Sequence, residues 1–189
     1  MQEMELFQLR HSGGEETEFV VCSNTEGSPW FYLVWNLGKP LKEKIEVPIV
    51  YYADKNLPLE DFPWGNSTEF LASPKLLGIL KKSGARFDVY RSIIRFPDSK
   101  EIDNYVAINF LESWPVVDRQ RSKFEPDPDF PTTKIYKIEK LVAKRSLLPE
   151  AQIFLMAENS SWLLVKKALK EEMERNQVTG IEFTPVPVS

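Results

Sequence analysis

Residues 162–186 read WLLVKKALKEEMERNQVTGIEFTPV, and a shorter version of the pattern occurs at residues 70–89, FLASPKLLGILKKSGARFDV. Each copy begins with an aromatic residue and an apolar run, continues through a lysine-rich amphipathic segment, and reaches a glycine with phenylalanine three residues later. The middle segment has the apolar spacing of a helix, and the run after the glycine is typical of a strand. The pattern therefore predicts one helix-strand unit used twice, over about residues 70–95 and 161–188.

The two copies differ in the distance from their aromatic residue to their glycine. Phe70 and Gly84 are 14 positions apart, whereas Trp162 and Gly180 are 18 positions apart. Because the difference of four residues is about one helical turn, we expect the second helix to be one turn longer. Each glycine is expected to end its helix, with Gly180 at positive φ and a strand following over residues 181–186.

The boundaries and faces of the helices also follow from the sequence. Ser73 followed by Pro74 is a favoured helix start, with the hydroxyl at the N-cap. One stripe of the second helix is apolar and is expected to face the core: Trp162, Val165, Leu169 and Met173. The charged stripe is expected to face solvent: Lys167, Lys170, Glu171, Glu174 and Arg175. Leu163 and Leu164 lie off the apolar stripe, which is compatible with a short strand leading into the helix.

Other segments rich in β-branched and aromatic residues predict strands. They are residues 18–23, 30–35, 45–52, 87–96, 105–111 and 152–157. Residues 105–111 (YVAINFL) are nearly all apolar, as in a strand buried on both faces. Residues 134–143 favour a strand, although their apolar spacing also fits a helix. We therefore predict an α+β fold with a mainly antiparallel sheet packed by helices on one side.

A long proline-rich loop is predicted at residues 115–131, which contain four prolines and the core EPDPDFP. Such loops often carry function, and a solvated connection is the alternative. Exposed aromatic residues beside charges are typical of tight interfaces, and carboxylates would speed capture of a basic partner. On this basis, the candidate partner-binding residues are Asp61, Phe62, Trp64, Phe124, Asp127, Asp129 and Phe130.

Length and composition favour a single cytoplasmic domain over residues 1–189. The chain is large enough to bury a core without metal or disulfide support. A single cysteine, Cys22, excludes an internal disulfide and is consistent with a reducing compartment. We expect no signal peptide, and no apolar run approaches the ~20 residues that span a bilayer. The net charge of −4 argues against nucleic acid as a partner. The basic cluster of residues 134–145 is interpreted as a charged strand edge; it comprises Lys134, Lys137, Lys140, Lys144 and Arg145.

Few residues are available for catalysis or metal binding. His11 and Cys22 each occur once, which excludes metal sites of the His-rich or Cys-rich kind. A nucleophilic triad would require His11, which lies beside the sequence SGG in an expected mobile loop. No phosphate-binding loop, dinucleotide fingerprint or nucleophile elbow occurs. The sequence therefore predicts no catalytic residue, metal or cofactor, and an enzyme using loop carboxylates is the alternative.

Six segments occur in a recognisable order. They are DFP (61–63), LASPKLL (71–77), YVAINFLESWPVVDRQRS (105–122), IFLM (153–156), WLLVKKAL (162–169) and TGIEFTPV (179–186). In this order they resemble the immunity-protein family of bacterial polymorphic toxin systems, the eleventh immunity family, formerly a domain of unknown function. The resemblance covers about residues 62–186, whereas residues 1–55 are a strand region without a family match. Val165 stands where members usually carry a serine, which leaves the cap of the last helix unassigned.

The resemblance implies a binding protein. A member would occlude a cognate toxin domain stoichiometrically in the cytoplasm of the producing bacterium, with no nucleic-acid or membrane partner, and its homo-oligomeric state is left open. The residues that match the family motif are Asn109, Asp118, Arg119, Ser122, Gly180 and Phe183. We interpret Asp118, Arg119 and Ser122 as structural, because an aspartate and a serine entering a loop can bond its backbone; toxin contact is the alternative. A small cytoplasmic enzyme or another protein-interaction module is the alternative function.

Overall fold

A computed structural model describes residues 5–12, 21–26, 35, 37–42, 45, 48–65 and 70–189, without the side chains of residues 21–26 and 64–65. The described strands are β1 (Leu6–His11), β2 (Val21–Glu26), β3 (Ile49–Ala53), β4 (Trp64–Gly65), β5 (Phe70–Ala72), β6 (Phe87–Arg95), β7 (Glu101–Ile102), β8 (Val106–Phe110), β9 (Ser113–Trp114), β10 (Lys123–Pro126), β11 (Ile135–Lys140), β12 (Ile153–Met156), β13 (Leu163–Lys166) and β14 (Ile181–Val186). The helices are α1 (Pro74–Lys82) and α2 (Lys167–Arg175), with a 3₁₀ turn at Arg145–Leu147. The predicted α+β fold with mainly antiparallel pairing is confirmed.

The second copy of the repeat consists of a strand, a helix and a second strand, and in the sheet a strand from outside the repeat lies between its two strands. Both β13 and β14 pair antiparallel with β1, so that Leu6 lies opposite Lys166 on one side and Val186 on the other. The outer strands are therefore parallel to each other and are connected by α2, an arrangement called a split βαβ unit. The five-stranded sheet has the order β14-β1-β13-β12-β9.

The first copy has the same topology around a different central strand. Ala107 of β8 lies opposite Leu71 of β5 on one side and Tyr90 of β6 on the other, antiparallel to both. This larger sheet continues from β6 through β3 and β2 to β4, and β7 also pairs with β6. The sequence repeat is thus a repeated split βαβ unit, and each copy is completed by a central strand that lies outside the repeat.

The main core is where the two units meet. Leu76, Ile79 and Leu80 of α1 belong to the same buried cluster as Leu169 and Met173 of α2. Alternate residues of β1, β8, β12 and β13 face this cluster: Phe7, Leu9, Ile108, Phe110, Ile153, Leu155, Leu163 and Val165. Because strand side chains alternate between faces, the intervening residues of the five-stranded sheet contribute to another cluster: Leu6, Phe154, Met156 and Leu164.

The predicted start of α1 is confirmed, whereas α2 begins differently. Ser73 Oγ accepts a hydrogen bond from Leu76 N at 3.2 Å, and Pro74 is the first helical residue. The residue before α2, Lys166, makes no side-chain cap, and Lys167 N donates instead to Glu5 O at 3.1 Å. A carbonyl from the chain just before β1 therefore replaces the missing capping side chain.

The predicted helical stripe is correct only in part. Leu169 and Met173 are buried on α2, as predicted. Val165 lies in β13 with Leu163 and Leu164, and Trp162 precedes that strand. The prediction of helix for Trp162 and Val165 is therefore wrong. Both helices contain nine residues, so the prediction of an extra turn is also wrong. The additional residues of the second copy lie in its first strand and in the connection to its second.

Lys170 does not project freely into solvent as predicted. Its side chain is only 20% exposed, and Nζ lies 5.1 Å from the ring centre of Phe7 and 5.5 Å from that of Phe183. The ammonium group also lies 2.6 Å from Glu174. The aliphatic part of a lysine can cover apolar surface while its charge stays near water, which explains a lysine at this position.

Gly180 has φ of +80°, which confirms the predicted left-handed backbone before β14. It does not end the helix, however, since α2 ends at Arg175 and the left-handed residue after it is Gln177, with φ of +52°. An ideal Cβ on Gly180 would lie 2.4 Å from Phe62 O. Glycine is therefore required here by backbone conformation and by close approach together.

Most of the described segments confirm the predicted strands. Residues 87–96, 105–111, 134–143 and 152–157 contain β6, β8, β11 and β12 respectively, and four of the five residues of β8 are buried. Residues 18–20 and 30–34 lie outside the described residues, and Trp35 is in a turn. Of residues 45–52, only Ile49 onward form a strand among those described.

The proline-rich segment is a β-hairpin rather than an unbroken loop. β10 and β11 pair antiparallel, and the register shifts between Lys123 and Phe124 and again between Glu125 and Pro126. The prediction that EPDPDFP lacks strand structure is wrong at Glu125 and Pro126 and fits the residues that follow. Proline is tolerated in an edge strand, because alternate N–H groups there need no partner, and this hairpin has only two strands.

Candidate interaction surface

Asp61 is buried, so the expectation that it is exposed to a partner is wrong. Its carboxylate accepts hydrogen bonds from Ser73 Oγ at 2.6 Å and from Thr179 N at 3.0 Å. Lys75 Nζ lies 2.6 Å from the same carboxylate. Asp61 therefore connects the start of α1 to the segment before β14, and these contacts join the two split βαβ units.

The electrostatic setting of Asp61 favours its charged form. Burial raises the pKa of this carboxyl, but hydrogen bonds from Lys75, Ser73 and Thr179 outweigh burial and hold the pKa below its usual value. The neighbouring Glu60 has a raised pKa, because of burial and then because of the charge on Asp61. We infer that Asp61 is ionised in the folded protein and serves stability.

Phe62 is also buried, at 4% exposure, which contradicts its expected exposure. Its ring stacks on His11 with centroids 4.3 Å apart and on Phe70 with centroids 5.6 Å apart. Burial lowers the pKa of His11 to about 4, although a backbone hydrogen bond with Phe62 raises it. His11 is therefore neutral near pH 7. The side chain of Trp64 lies outside the described part of the structure.

Two of the family-motif residues lie inside the fold. Asn109 in β8 is fully buried, and its Nδ2 donates to Lys39 O at 2.9 Å. Phe183 in β14 packs against the main core and lies edge-on to Phe7, with centroids 6.5 Å apart. Both side chains hold parts of the chain that are distant in sequence.

Asp118 and Ser122 make the backbone hydrogen bonds that their structural interpretation requires. Asp118 Oδ1 accepts from Gln120 N at 3.1 Å and from Arg121 N at 3.2 Å. Ser122 Oγ accepts from Val142 N at 2.9 Å and donates to Val142 O at 3.1 Å. The turn at residues 118–122 is thereby fixed to the segment that follows the hairpin.

The hairpin holds four of the predicted contact residues in different settings. Phe124 is half-buried, with the guanidinium carbon of Arg119 5.2 Å from its ring centre. Asp127 Oδ1 accepts from the backbone N–H groups of Asp129 and Phe130, at 2.9 and 3.1 Å. That turn leaves the Phe130 ring 62% exposed. Of the four, Phe130 is therefore the one large apolar side chain presented to solvent.

Exposed apolar side chains are concentrated near this hairpin. Eight large hydrophobic residues are exposed in the described part of the chain, and four of them lie between residues 114 and 147. They are Trp114, Phe130, Tyr136 and Leu147. Phe130 and Tyr136 are the most exposed of the eight, at 62% and 69%. Exposed aromatic residues are enriched at protein interfaces, so this region is the candidate interaction surface.

A cleft of about 690 Å³ adjoins the hairpin. One wall is formed by residues 117–121 and the other by residues 144–147, and Ser189 also lines the cleft. An isolated bridge between Val117 and Ala143 connects the two walls, supported by a 2.8 Å hydrogen bond from Lys144 N to Val116 O. Arg119 lines the cleft and also donates from Nη1 to Pro131 O at 3.5 Å. We call residues 123–140 together with this cleft the hairpin–cleft surface.

The hairpin–cleft surface carries the opposite charge to the chain as a whole. Residues 115–147 contain eight Lys and Arg and five Asp and Glu, a net charge of +3, whereas the whole chain carries −4. In the hairpin, Lys123 pairs with Glu139 and Lys137 with Glu125. The excess positive charge therefore falls mainly on the cleft.

The described residues offer little for other kinds of site. Among them, no group of three or more His, Cys, Asp or Glu side chains could hold a metal ion. No helix in the described part is long and apolar enough to cross a membrane. The surface groups that converge are cationic and aromatic side chains, which are suited to binding.

Comparison with known protein families supplies the decisive observation. The family model described as "Immunity protein family (Imm11)" matches residues 26–188. The chain belongs to this immunity protein family. The match begins well before residue 62, so part of the N-terminal region also lies within the Imm11 match. A search of curated proteins gives no match.

Sequence reasoning did not find the cleft of this Imm11 protein. Arg119 and Arg121 were separated from Lys144 and Arg145 by the whole hairpin, and the second pair was interpreted as part of a strand edge. The structure instead places both pairs around one opening. The available signal was the local charge, since a segment of net +3 stands out in an acidic chain.

Proposed function

We propose that this protein is an immunity protein that binds and neutralises a cognate bacterial polymorphic toxin by stoichiometric occlusion, without turnover. The single observation that supports this most strongly is the Imm11 match over residues 26–188. A toxin made by a bacterium threatens that bacterium first, so we propose that the protein acts in the cytoplasm of the producing cell.

We propose the hairpin–cleft surface as the toxin-binding surface. Phe130 and Tyr136 offer exposed aromatic side chains on the hairpin. Arg119 and Arg121 line the adjoining cleft, and Arg119 bonds Pro131 O of the hairpin. Aromatic residues and arginine supply most of the binding energy in many protein interfaces. Asp61 and Phe62, because they are buried, contribute to this function through stability.

The test of function is a titration of toxin activity with the purified protein. The toxin to be tested is the C-terminal domain of a polymorphic toxin encoded beside the gene for this protein, expressed and assayed on its own substrate. Stoichiometric occlusion predicts that inhibition is complete near one equivalent. Full protection at a few hundredths of an equivalent would mean turnover and would favour the enzyme alternative, and no inhibition at any ratio would refute the proposal.

The test of the surface is a pair of truncations with a matched control. Phe130→Ala and Tyr136→Ala should each weaken toxin binding by about 2 kcal/mol if they are central contact residues. Leu57→Ala, a 39% exposed apolar residue outside the surface, should leave binding unchanged. Loss of binding in the control alone, or in none of the three, would place the interface elsewhere.

A further inference from the structure

We propose that the cleft binds a carboxylate-rich segment of a protein partner, with its cationic side chains pairing to Asp and Glu of that segment. This inference rests on the proposed function in one respect, since the cognate toxin is the expected source of the segment. It adds the chemistry of the partner surface, which is acidic where sequence analysis expected a basic toxin.

The first observation is the balance of charge around the opening. Four cationic residues line the cleft, and one acidic residue, Asp118, lines it with them. Arg145 pairs with Glu5 at 2.6 Å, outside that lining. Arg121 lies 3.9 Å from Asp118 and is 68% exposed, and Lys144 is exposed. Positive charge therefore exceeds negative charge in a concave site, which attracts anions.

The second observation concerns Asp118, which could otherwise neutralise these cations. Its Oδ1 accepts two backbone N–H groups, and its Oδ2 accepts Ser189 Oγ at 2.8 Å. These hydrogen bonds, with the one from Ser189 largest, lower the pKa of Asp118 and hold the carboxylate against its own turn. Since its oxygens already have donors, Asp118 is a structural acceptor, and the exposed head groups of Arg121 and Lys144 can bind a ligand.

The third observation favours carboxylates over phosphate. Phosphate sites commonly use several free backbone N–H groups as a cradle. In this cleft the N–H groups of Gln120 and Arg121 bond Asp118, and those of Lys144 and Arg145 bond carbonyl groups of the protein. The site therefore offers exposed cationic side chains rather than free backbone N–H groups, and such side chains can pair with several carboxylates along an extended segment.

The fourth observation favours a protein over a nucleic acid. Leu147 lines the cleft and is 41% exposed, and the exposed aromatic residues of the hairpin lie on the same surface. An acidic peptide with apolar residues would match both features, whereas nucleic-acid binding normally needs a large Lys and Arg surplus. The whole chain has a net charge of −4.

The experiment measures binding of the full chain to a fluorescein-labelled peptide in which six glutamates alternate with glycine or leucine, by fluorescence anisotropy. The comparison peptide carries glutamine at each glutamate position. We expect the glutamate peptide to bind and the glutamine peptide to bind at least about tenfold more weakly, with the difference decreasing as salt is added. Equal binding of the two peptides would overturn the proposal.

Matched charge reversals locate the site. Arg121→Glu should weaken binding of the glutamate peptide by about tenfold, because it replaces an attraction with a repulsion. Arg91→Glu makes the same change at an exposed position of β6 outside the cleft, and it should leave binding unchanged within about twofold. Lys144→Glu is a second cleft variant whose side chain lies outside the Asp118 network. Equal effects of all three changes would overturn the assignment to the cleft.

Two further probes separate the alternatives. The probes are a single-stranded oligonucleotide and inorganic phosphate. If either binds more tightly than the glutamate peptide, and its binding is weakened equally by Arg121→Glu, the carboxylate assignment is overturned in favour of phosphate. The peptide assay contains no toxin. Peptide binding with no toxin inhibition would therefore refute the proposed function alone. Toxin inhibition that is insensitive to both cleft variants would refute this inference and the cleft part of the proposed surface, and would leave toxin neutralisation standing.

Discussion

Replacing Gly180 with alanine should destabilise the protein, whereas the same change at Gly78 should stabilise it. Gly180 has φ of +80°, and an ideal Cβ there would lie 2.4 Å from Phe62 O and within 3.0 Å of Glu60. Gly78 lies inside α1, and an added Cβ there meets nothing within 4 Å. One methyl group is added in each case, so the opposite signs would arise from the backbone conformation and the neighbouring atoms at each site.

The expected change in the free energy of unfolding has two contributions at Gly180 and one at Gly78. A left-handed backbone costs a non-glycine residue about 1–2 kcal/mol, and displacing the close backbone oxygen of Phe62 adds about 1–3 kcal/mol. We therefore expect Gly180→Ala to lower the free energy of unfolding by about 3 kcal/mol, which is about 6–12 °C in Tm for a chain of this size. Gly78→Ala should raise it by about 0.5–1 kcal/mol, because alanine has the higher helix propensity.

The assay is urea unfolding followed by circular dichroism, with calorimetry for Tm. Equal m-values would show that both variants unfold from comparable native states. A neutral Gly180→Ala would refute the close approach to Phe62 O, and a destabilising Gly78→Ala would refute the open environment on α1. Either result would also remove the argument that the segment before β14 is fixed against residues 60–62.

Three further changes test the buried contacts. Asp61→Ala should lower the free energy of unfolding by about 1–3 kcal/mol, since it leaves the buried Ser73 hydroxyl and the backbone N–H of Thr179 without their acceptor and Lys75 without its partner. Asp103→Ala, at an exposed position, should be nearly neutral in urea unfolding. Because the pKa of Asp61 is lowered by folding, its stabilising effect is present above about pH 4 and is lost as pH falls through the folded pKa. Asp61→Asn should therefore flatten the acid side of the stability curve, and an unchanged curve would contradict the ionised state. Leu169→Asp should unfold the protein by placing a charge in the main core. Ala168→Asp, at an exposed position in the first turn of α2, should be neutral or slightly stabilising. Equal melting temperatures of the two variants would refute the assignment of Leu169 to the buried face of α2. Since burial lowers the pKa of His11 to about 4, the stability of the wild-type protein should fall as pH decreases from about 6.5 to 4. His11→Phe should remove that loss of stability while keeping the ring stack on Phe62. If stability falls equally with pH in both proteins, His11 is not the cause of the loss.

The sequence was sufficient for the local features of the fold and insufficient for its long-range ones. Ser73 and Pro74 predicted the start of α1, because capping depends on neighbouring residues alone. The identity of the central strand in each split βαβ unit could not be predicted, since β8 and β1 lie outside the repeat and strand pairing depends on the whole fold. The end of α2 was missed because Gln177, a residue with a side chain, takes the left-handed position that glycine usually occupies.

The candidate site was less predictable than the fold for the same physical reason. Asp61 has the composition of a surface loop residue, and only its three donors, from α1 and from the segment before β14, explain its burial. Phe130 was correctly expected to be exposed, because the turn made by Asp127 is local. The cleft depends on the bridge between Val117 and Ala143, a contact between segments on either side of the hairpin that no local pattern encodes.

The position of β1 has a consequence for how the protein matures on the ribosome. Its residue Leu6 pairs with Lys166 and with Val186, which are 160 and 180 positions later in the chain. Strand β1 must therefore wait for both partners until β13 and β14 have been synthesised, and such distant pairing is slow because a long loop has to close. The earlier unit, β5 to β8, can assemble during synthesis, but the sheet that supports the hairpin and the cleft cannot. Any protection this chain gives its cell would then begin only after β14 has been synthesised, with a delay set by the search of β1 for its two partners.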